Sequence, residues 1–450
     1  MREMKDSGIE WIGEIPKDWK VVPIKYVKED SLNSFVDGPF GSNLKSCHYV
    51  DDGDVYVIES GLISTGKFIF KDLKTITFEH FSTIKRSECK NNDIIIAKIG
   101  ANYGMAGILP VLDKPSVVSG NSLKLTLDAN KLDNLIFIWQ MEMSKKTGGF
   151  VSVVNETAQP ALSLGILNNF RIVLPSQEEQ KIIVDYLKEK LSEIDATAED
   201  IQKEISLLEE YKKSVITEAV TKGLNPDAEM KDSGIEWIGE IPKDWDLLKI
   251  GYVTKEISDI DHYMPSDSDD IDKVPYLMIG DLKENISQID FESCKYISKK
   301  VYRALSIKSK PEKENVIFAR YATIGTVCFV DSEKQLLVSY ACLTVKANEL
   351  IKGRFLFYYF KSNAFLEEVS QYVKSNTQGN IGKESLIRAK IVVPKLKEQI
   401  QIISYLDTKC SEIDTLIADK KRQLDILADY KKSLIYEYVT GKKEVPVNDF

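Results

Sequence analysis

Gly100, Gly104 and Gly107 fall in GANYGMAG, directly after an apolar β-branched run, a setting in which a backbone turn can cradle phosphate. The spacing is not GxGxxG, and no acidic residue follows at the distance that holds a ribose, so dinucleotide binding does not follow. The sequence has no GxxxxGK[ST] loop, no HExxH and no GxSxG, the short patterns that carry phosphate, zinc and serine chemistry. SDSDDID (Ser266–Asp272) gathers carboxylates but reads as a solvated loop rather than a metal cluster. Cys47, Cys89, Cys294, Cys328, Cys342 and Cys410 form no CxxC pair, and His48, His80 and His262 are scattered. That distribution predicts free thiols in a reducing compartment and no structural zinc. Taken together, the expectation is a chain without a catalytic or metal site.

The chain is 450 residues long, enough for two to four domains, and its 43% hydrophobic and 29% charged fractions are those of a soluble globular protein. No run approaches the ~18 apolar residues of a membrane span. The first residues, MREMKDSGIEW, lack a signal peptide's apolar core, so a cytoplasmic location is expected. A net charge of −9 argues at first against a nucleic-acid partner. The acidity is local, however. Residues 177–229 carry 7 basic against 14 acidic side chains, whereas 1–176 carry 20 against 21 and 230–396 carry 24 against 24. A basic face on either large region is compatible with those counts.

An internal repeat organises the chain. MKDSGIEWIGEIPKDW runs from Met4 to Trp19 and recurs unchanged from Met230 to Trp245. EEQKIIVDYLKEKLSEID (Glu178–Asp195) is echoed by KEQIQIISYLDTKCSEID (Lys397–Asp414), and EYKKSVITEAVT (Glu210–Thr221) by DYKKSLIYEYVT (Asp429–Thr440). The unit is half the chain, far longer than a solenoid repeat of ~20–50 residues. Between these anchors the halves share scraps: Tyr56 with Tyr276, Gly100 with Gly325, Thr157 with Thr377. A frame held while its contents vary suggests two modules of one fold that bind two different things.

From Gln177 to Thr221 there is neither proline nor glycine. Leu187, Ile194, Ile201, Leu208 and Val215 recur every seven residues, with Leu191, Ala198, Ile205 and Ala219 as a second seam interrupted by Lys212. This predicts a helix of about 45 residues, with Ser176 and Glu179 as its capping box and Gly223 and Pro226 as its stop. The second copy repeats the stripe through Leu406, Ile413, Leu427 and Leu434, broken by Lys420, with Cys410, Ile417, Leu424 and Tyr438 beside it. An antiparallel pair of the two helices, with the domains at its opposite ends, is the favoured arrangement; two helices each packed on its own domain is the alternative. The runs VYVIES, NDIIIAKIG and LKLTL match VPYLMIG, ENVIFARYATIG and ACLTV as short strands. LIFIWQMEMSKK and FLFYYFKSNAFLEEV read as the helices that follow. The expected class is α+β: domains at 1–176 and 230–396, with helical spacers at 177–229 and 397–450.

With SGIEWIGEIPKDW before each variable region, and IVLPSQEEQ and IVVPKLKEQ after it, the chain resembles the specificity subunit of type I restriction–modification enzymes over essentially its whole length. The resemblance implies two target-recognition domains, each reading half of a split double-stranded DNA sequence, held apart by the paired helices. Two methylation subunits would dock beside those helices, and motor-nuclease subunits would join them. S-adenosylmethionine, ATP and magnesium would belong to those partners, leaving this chain without a cofactor. Reading residues are sought where the copies correspond but differ, among side chains suited to base edges. In the first domain these are Lys98, Asn102, Tyr103, Ser119, Asn121 and Gln159. In the second they are Arg320, Tyr321, Thr323, Ser339, Tyr340, Gln378 and Asn380, with Lys299, Lys300 and Arg303 as a phosphate-holding cluster. The competing reading makes the cations solvated strand ends, the tyrosines core, Asn121 and Asn380 turn formers, and the cluster an ordinary charged surface. Trp11, Trp19, Trp237 and Trp245 are expected to lock each domain's start to its core. A scaffold that holds protein partners without reading DNA is the alternative function.

Overall fold

The two long helices run over Gln177–Lys222 and Leu396–Val439 in a computed structural model, so the first is about 69 Å long at 1.5 Å per residue. Residues 2–64, 67–151, 161–321, 325–372 and 380–446 are described. The predicted capping box is present: Glu179 N donates to Ser176 Oγ at 3.3 Å, and Ser176 N returns to Glu179 Oε2 at 3.3 Å. Gly223 ends the helix at φ +78°, a left-handed conformation that glycine adopts without strain. Ser176→Ala is expected to lower stability by about 1 kcal/mol, the usual worth of an N-cap, read by thermal unfolding.

The chain folds as two compact units, one of residues 1–200 with 423–450 and the other of residues 201–422. In the first unit, Leu187, Ile194, Leu434 and Tyr438 are buried in one cluster, and Lys431 pairs with Asp195. Tyr186 and Tyr438 meet at 4.8 Å, so numbers rise along one helix as they fall along the other. The second unit has the same antiparallel pairing, through Lys420–Glu204 at 2.5 Å and Lys212–Asp414 at 2.7 Å. Lys212 and Lys420, which interrupt the apolar seams, are thus ion-paired across the helices. The pair Lys212–Asp414 is the repeat equivalent of Lys431–Asp195.

Each unit carries the same frame. Met4–Asp6 pairs with Glu14–Pro16, and Met230–Asp232 pairs with Glu240–Pro242 in identical register. Trp19 and Trp245 are almost fully buried, and their Nε1–H groups donate to Glu179 (3.1 Å) and Glu398 (2.9 Å) at the starts of the long helices. Burial alone would raise the Glu179 carboxyl, but Arg2, Trp19 and Ser176 together hold it below the ordinary glutamate value. These two tryptophans lock the frame to its core as expected, whereas Trp11 is half-buried and Trp237 is exposed.

In the first variable domain the two four-stranded sheets are built from β1 (Phe35–Asp37), β2 (Val55–Ile58), β3 (Lys74–Ile76), β4 (Glu88–Cys89), β5 (Ile94–Ala97), β6 (Ala106–Ile108), β7 (Ser116–Val118) and β8 (Ser122–Leu125). One antiparallel sheet has the order β6-β5-β8-β1; a second has the order β3-β2-β7-β4, with β2 and β7 parallel. The second domain repeats this plan with β9 (Thr254–Ser258), β10 (Val274–Leu277), β11 (Lys295–Ile297), β12 (Val316–Ala319), β13 (Val327–Phe329), β14 (Leu337–Val338) and β15 (Cys342–Ala347). Its sheets run β9-β15-β12-β13 and β11-β10-β14. The short β-branched runs of the two halves therefore occupy equivalent places.

Two expectations need correction. Ser119 N donates to Ile58 O and Ser339 N to Leu277 O, both at 2.9 Å, which aligns Ile58 with Leu277. Tyr276 is then equivalent to Val57, not to Tyr56. The one-residue slip puts Tyr276, fully buried, on the opposite face of its strand from half-exposed Tyr56. FLFYYFKSNAFLEEV is also not one helix. It forms Gly353–Lys361 and Asn363–Ser370, broken at Ser362, whose buried Oγ donates to Tyr359 O and accepts from Phe365 N.

Candidate nucleic-acid interface

GANYGMAG turns β5 into β6, since Ile96 pairs with Ala106 and Gly104 N donates to Ala97 O at 2.8 Å. A hairpin loop of this kind presents no helix N-terminus to a phosphate, so the strand-to-helix phosphate cradle is not formed here. Gly104 sits at φ +79°, and a Cβ there would lie 2.5 Å from the Phe150 ring. Lys145 straps the loop by donating to Ala101 O (2.6 Å) and Tyr103 O (2.9 Å). Burial pushes its ammonium below the usual lysine range. Tyr103 leans on Phe150 at 6.3 Å and packs against the core, as the competing reading of that residue has it, while Asn102 is exposed at the tip.

Lys98 follows β5. Its backbone N–H donates to Asn121 O and its carbonyl accepts from Leu162 N, both at 2.9 Å. Arg320 follows β12 and makes the same two backbone bonds, to Ala341 O and from Ile381 N, both at 3.0 Å. Two sequences that barely match thus place a cation at one equivalent point. Lys98 Nζ lies 3.6 Å from Asp37 Oδ2, and Arg320 NH1 lies 2.7 Å from Asp259 Oδ2. Asp37 also receives Arg86 at 3.3 Å. Neither aspartate was among the sequence candidates. The available signal was a carboxylate closing the first strand of each domain, in FVDG and in EISD.

Ser119 and Ser339 are buried and hold the turns after β7 and β14, with Ser119 Oγ 3.3 Å from Ser122 Oγ. Ser339 Oγ has no hydrogen-bond partner among the described residues. Asn121, in the same turn, is exposed. In the second domain Arg320 lies over the Tyr321 ring at 5.1 Å and donates to its hydroxyl at 3.3 Å. Tyr321 meets Tyr340 edge-on at 6.4 Å, and Tyr340 packs on His262 at 3.9 Å. Asn380 forms an isolated bridge with Tyr321. Arg320 Nε and Asn380 Oδ1 are both buried without a hydrogen-bond partner among the described residues. The structure therefore gathers Lys98 with Asn121, and Arg320 with Tyr321, Tyr340 and Asn380. Gln159, Thr323 and Gln378 lie outside the described residues.

Lys299, Lys300 and Arg303 are exposed on the helix Lys299–Leu305, away from that cluster in sequence; Lys299 pairs with Asp272 at 3.1 Å. SDSDDID is tied down by its backbone contacts, with Asp267 accepting from Tyr296 N and Ser268 N, bonds that hold its carboxyl below the ordinary value. Among the described residues no group of acidic, histidine and cysteine side chains has the geometry of a metal site, and no helix is long and apolar enough to cross a membrane.

A domain duplicated with its frame intact and its interior rewritten belongs to proteins that present two different binding surfaces on one plan. The chain belongs to the family of the type I restriction modification DNA specificity domain, whose sequence model matches it twice, over residues 16–207 and 242–425. It is similar to the type I restriction enzyme MjaVIII specificity subunit of Methanocaldococcus jannaschii, 27% identical over 445 residues, covering 96% of this chain and 94% of that one. The EcoBI specificity subunit of Escherichia coli is 20% identical over 339 residues, covering 73% and 70%. A chain solved in work on complex assembly and conformational transition of the type I restriction–modification system shares the fold, with a TM-score of 0.65, 14% identity, and coverage of 95% and 99%.

Proposed function

We propose that this chain selects a bipartite double-stranded DNA target, one half through each recognition domain, and brings methylation and restriction subunits to it. The observation that carries this is the equivalent placement of Lys98 and Arg320 inside interiors that otherwise differ. The chain itself is non-catalytic and works in the cytoplasm. Two methylation subunits supply S-adenosylmethionine chemistry, and the restriction subunits supply ATP and magnesium. Mapping methylated adenines in cells that express this chain with its methylation partner tests the reading. A split motif, two specific blocks around a nonspecific gap, is expected; no new methylation from an intact purified complex would favour a protein-holding scaffold instead.

The exposed Lys299, Lys300 and Arg303 fit phosphate contacts, which position without reading sequence. Replacing all three with alanine should weaken binding about equally on every sequence. It should also flatten the slope of log affinity against log salt by about one for each phosphate that these side chains neutralise. An unchanged slope in a salt titration would assign the cluster to ordinary surface charge.

A further inference from the structure

The two cations that the fold places equivalently are each held by a carboxylate from the first strand of the domain's sheet. Asp37 ends β1, and Asp259 directly follows β9, its structural equivalent. Neither ion pair is a solvated accident: Lys98 and Asp37 are 20% and 14% exposed, and Arg320 and Asp259 are 15% and 28% exposed. A half-buried cation tied to a carboxylate loses rotamer freedom before any ligand arrives, which is how recognition groups are preorganised. The arrangement is tighter in the second domain. Asp259 takes one terminal nitrogen of Arg320, the Tyr321 hydroxyl takes the other, and Nε has no partner among the described residues. Asn380 Oδ1 is buried and unpartnered beside it, on the residue that bridges Tyr321. Buried polar groups left unpaired in the free protein point to a ligand that supplies the missing partners.

Resting on the DNA-reading function above, we propose that Asp37 and Asp259 are positioning residues. Each braces a cation that reads bases in its domain, and in the second domain the braced guanidinium addresses a guanine edge. Guanine offers N7 and O6 as paired acceptors in the major groove, the match for a guanidinium fork. A phosphate also suits that fork, but it would carry no sequence preference. Lys98, a point charge without a fork, is expected to discriminate less sharply at its own position.

The test is selection of bound duplexes from a randomised library by the complex of this chain with its methylation subunits. Wild-type protein defines the two blocks first; absence of any split motif there overturns the DNA reading itself. Given that motif, Asp259→Asn should cut the preference for one guanine in one block by about tenfold and leave the other block unchanged. Asp259→Glu should restore most of it, and Arg320→Lys should relax the same position. Asp37→Asn should act on the other block. If Asp259→Asn does not fold, Arg320→Lys and Asp37→Asn decide between the outcomes. An unchanged base profile, or a uniform loss of affinity with the profile intact, overturns the brace and assigns these cations to structure or to phosphate.

Discussion

Trp245→Ala is expected to cost the second unit about 3–5 kcal/mol, the usual range for emptying a fully buried large aromatic site. The ring is completely buried in the core cluster that also holds the frame and helix residues Ile238, Ile241, Val220 and Ile402. It also closes the end of the first long helix, since a Cβ on Gly223 would lie 3.1 Å from its Cζ2. Truncation removes the Nε1–H that satisfies Glu398, so a half-buried carboxylate loses its donor as the cavity forms. The core of residues 1–200 with 423–450 is a separate cluster around Trp19. Hydrogen exchange should therefore show protection falling across residues 230–396 well before it falls across residues 12–173. Equal loss in both regions would mean that the two cores do not open independently. The frame contacts would then have to be treated as one cooperative whole.

What could be read in the sequence followed from periodicity. A seven-residue apolar repeat without glycine or proline has one comfortable conformation, and the paired helices bury Leu187, Ile194, Val215, Leu406 and Leu434 as that repeat requires. The interior strands were legible because β-branched runs bounded by turn residues recur in both halves. Their register was not. A strand's face changes with every residue, so matching Tyr56 to Tyr276 by letter placed one of them on the wrong side. The break at Ser362 was hidden because apolar residues continue on both sides of it; the deciding interaction is a buried hydroxyl bonded both ways. Lys98 and Arg320 could be nominated from their place after a matched strand, but Asp37 and Asp259 lie about 60 residues away from them in sequence. An ion pair closed by sheet order leaves no local pattern. The same holds for Ser119 and Ser339, whose burial is set by a neighbouring strand.

Glu284→Gln should produce the second large effect, through the lysine that breaks the helix seam. Lys212 donates to Glu284 Oε1 at 2.9 Å and to Asp414 at 2.7 Å, and Lys361 also donates to Glu284. Two ammonium groups thus converge on one carboxylate between the long helices and the helix Gly353–Lys361. Burial alone would raise the Glu284 carboxyl, but Lys361 and Lys212 hold it down at about 2. Burial likewise pushes the Lys361 ammonium below its usual range, against the pull of Glu284. A carboxylate depressed in the folded state stabilises fully above its unfolded value near 4.5, and that contribution drains away as pH falls towards 2. Glutamine keeps the shape and removes the charge, leaving Lys212 and Lys361 facing each other with Asp414 as the remaining acid of the group. Breaking a buried pair costs about 3–5 kcal/mol. Because the Glu284 side chain is 37% exposed, water screens part of that, and a loss of about 2 kcal/mol is expected at pH 7. The variant should then lose less stability than wild type between pH 5 and 3, where the unfolded wild-type chain takes up a proton at this group that the folded one still refuses. Lys361→Met combined with Glu284→Gln should recover much of the loss, because an apolar group of similar length needs no counter-charge. Urea unfolding of the second unit at pH 7 and pH 3.5 decides it. Parallel acid profiles for Glu284→Gln and wild type would show that the lysines find other partners and that the network adds nothing to the fold.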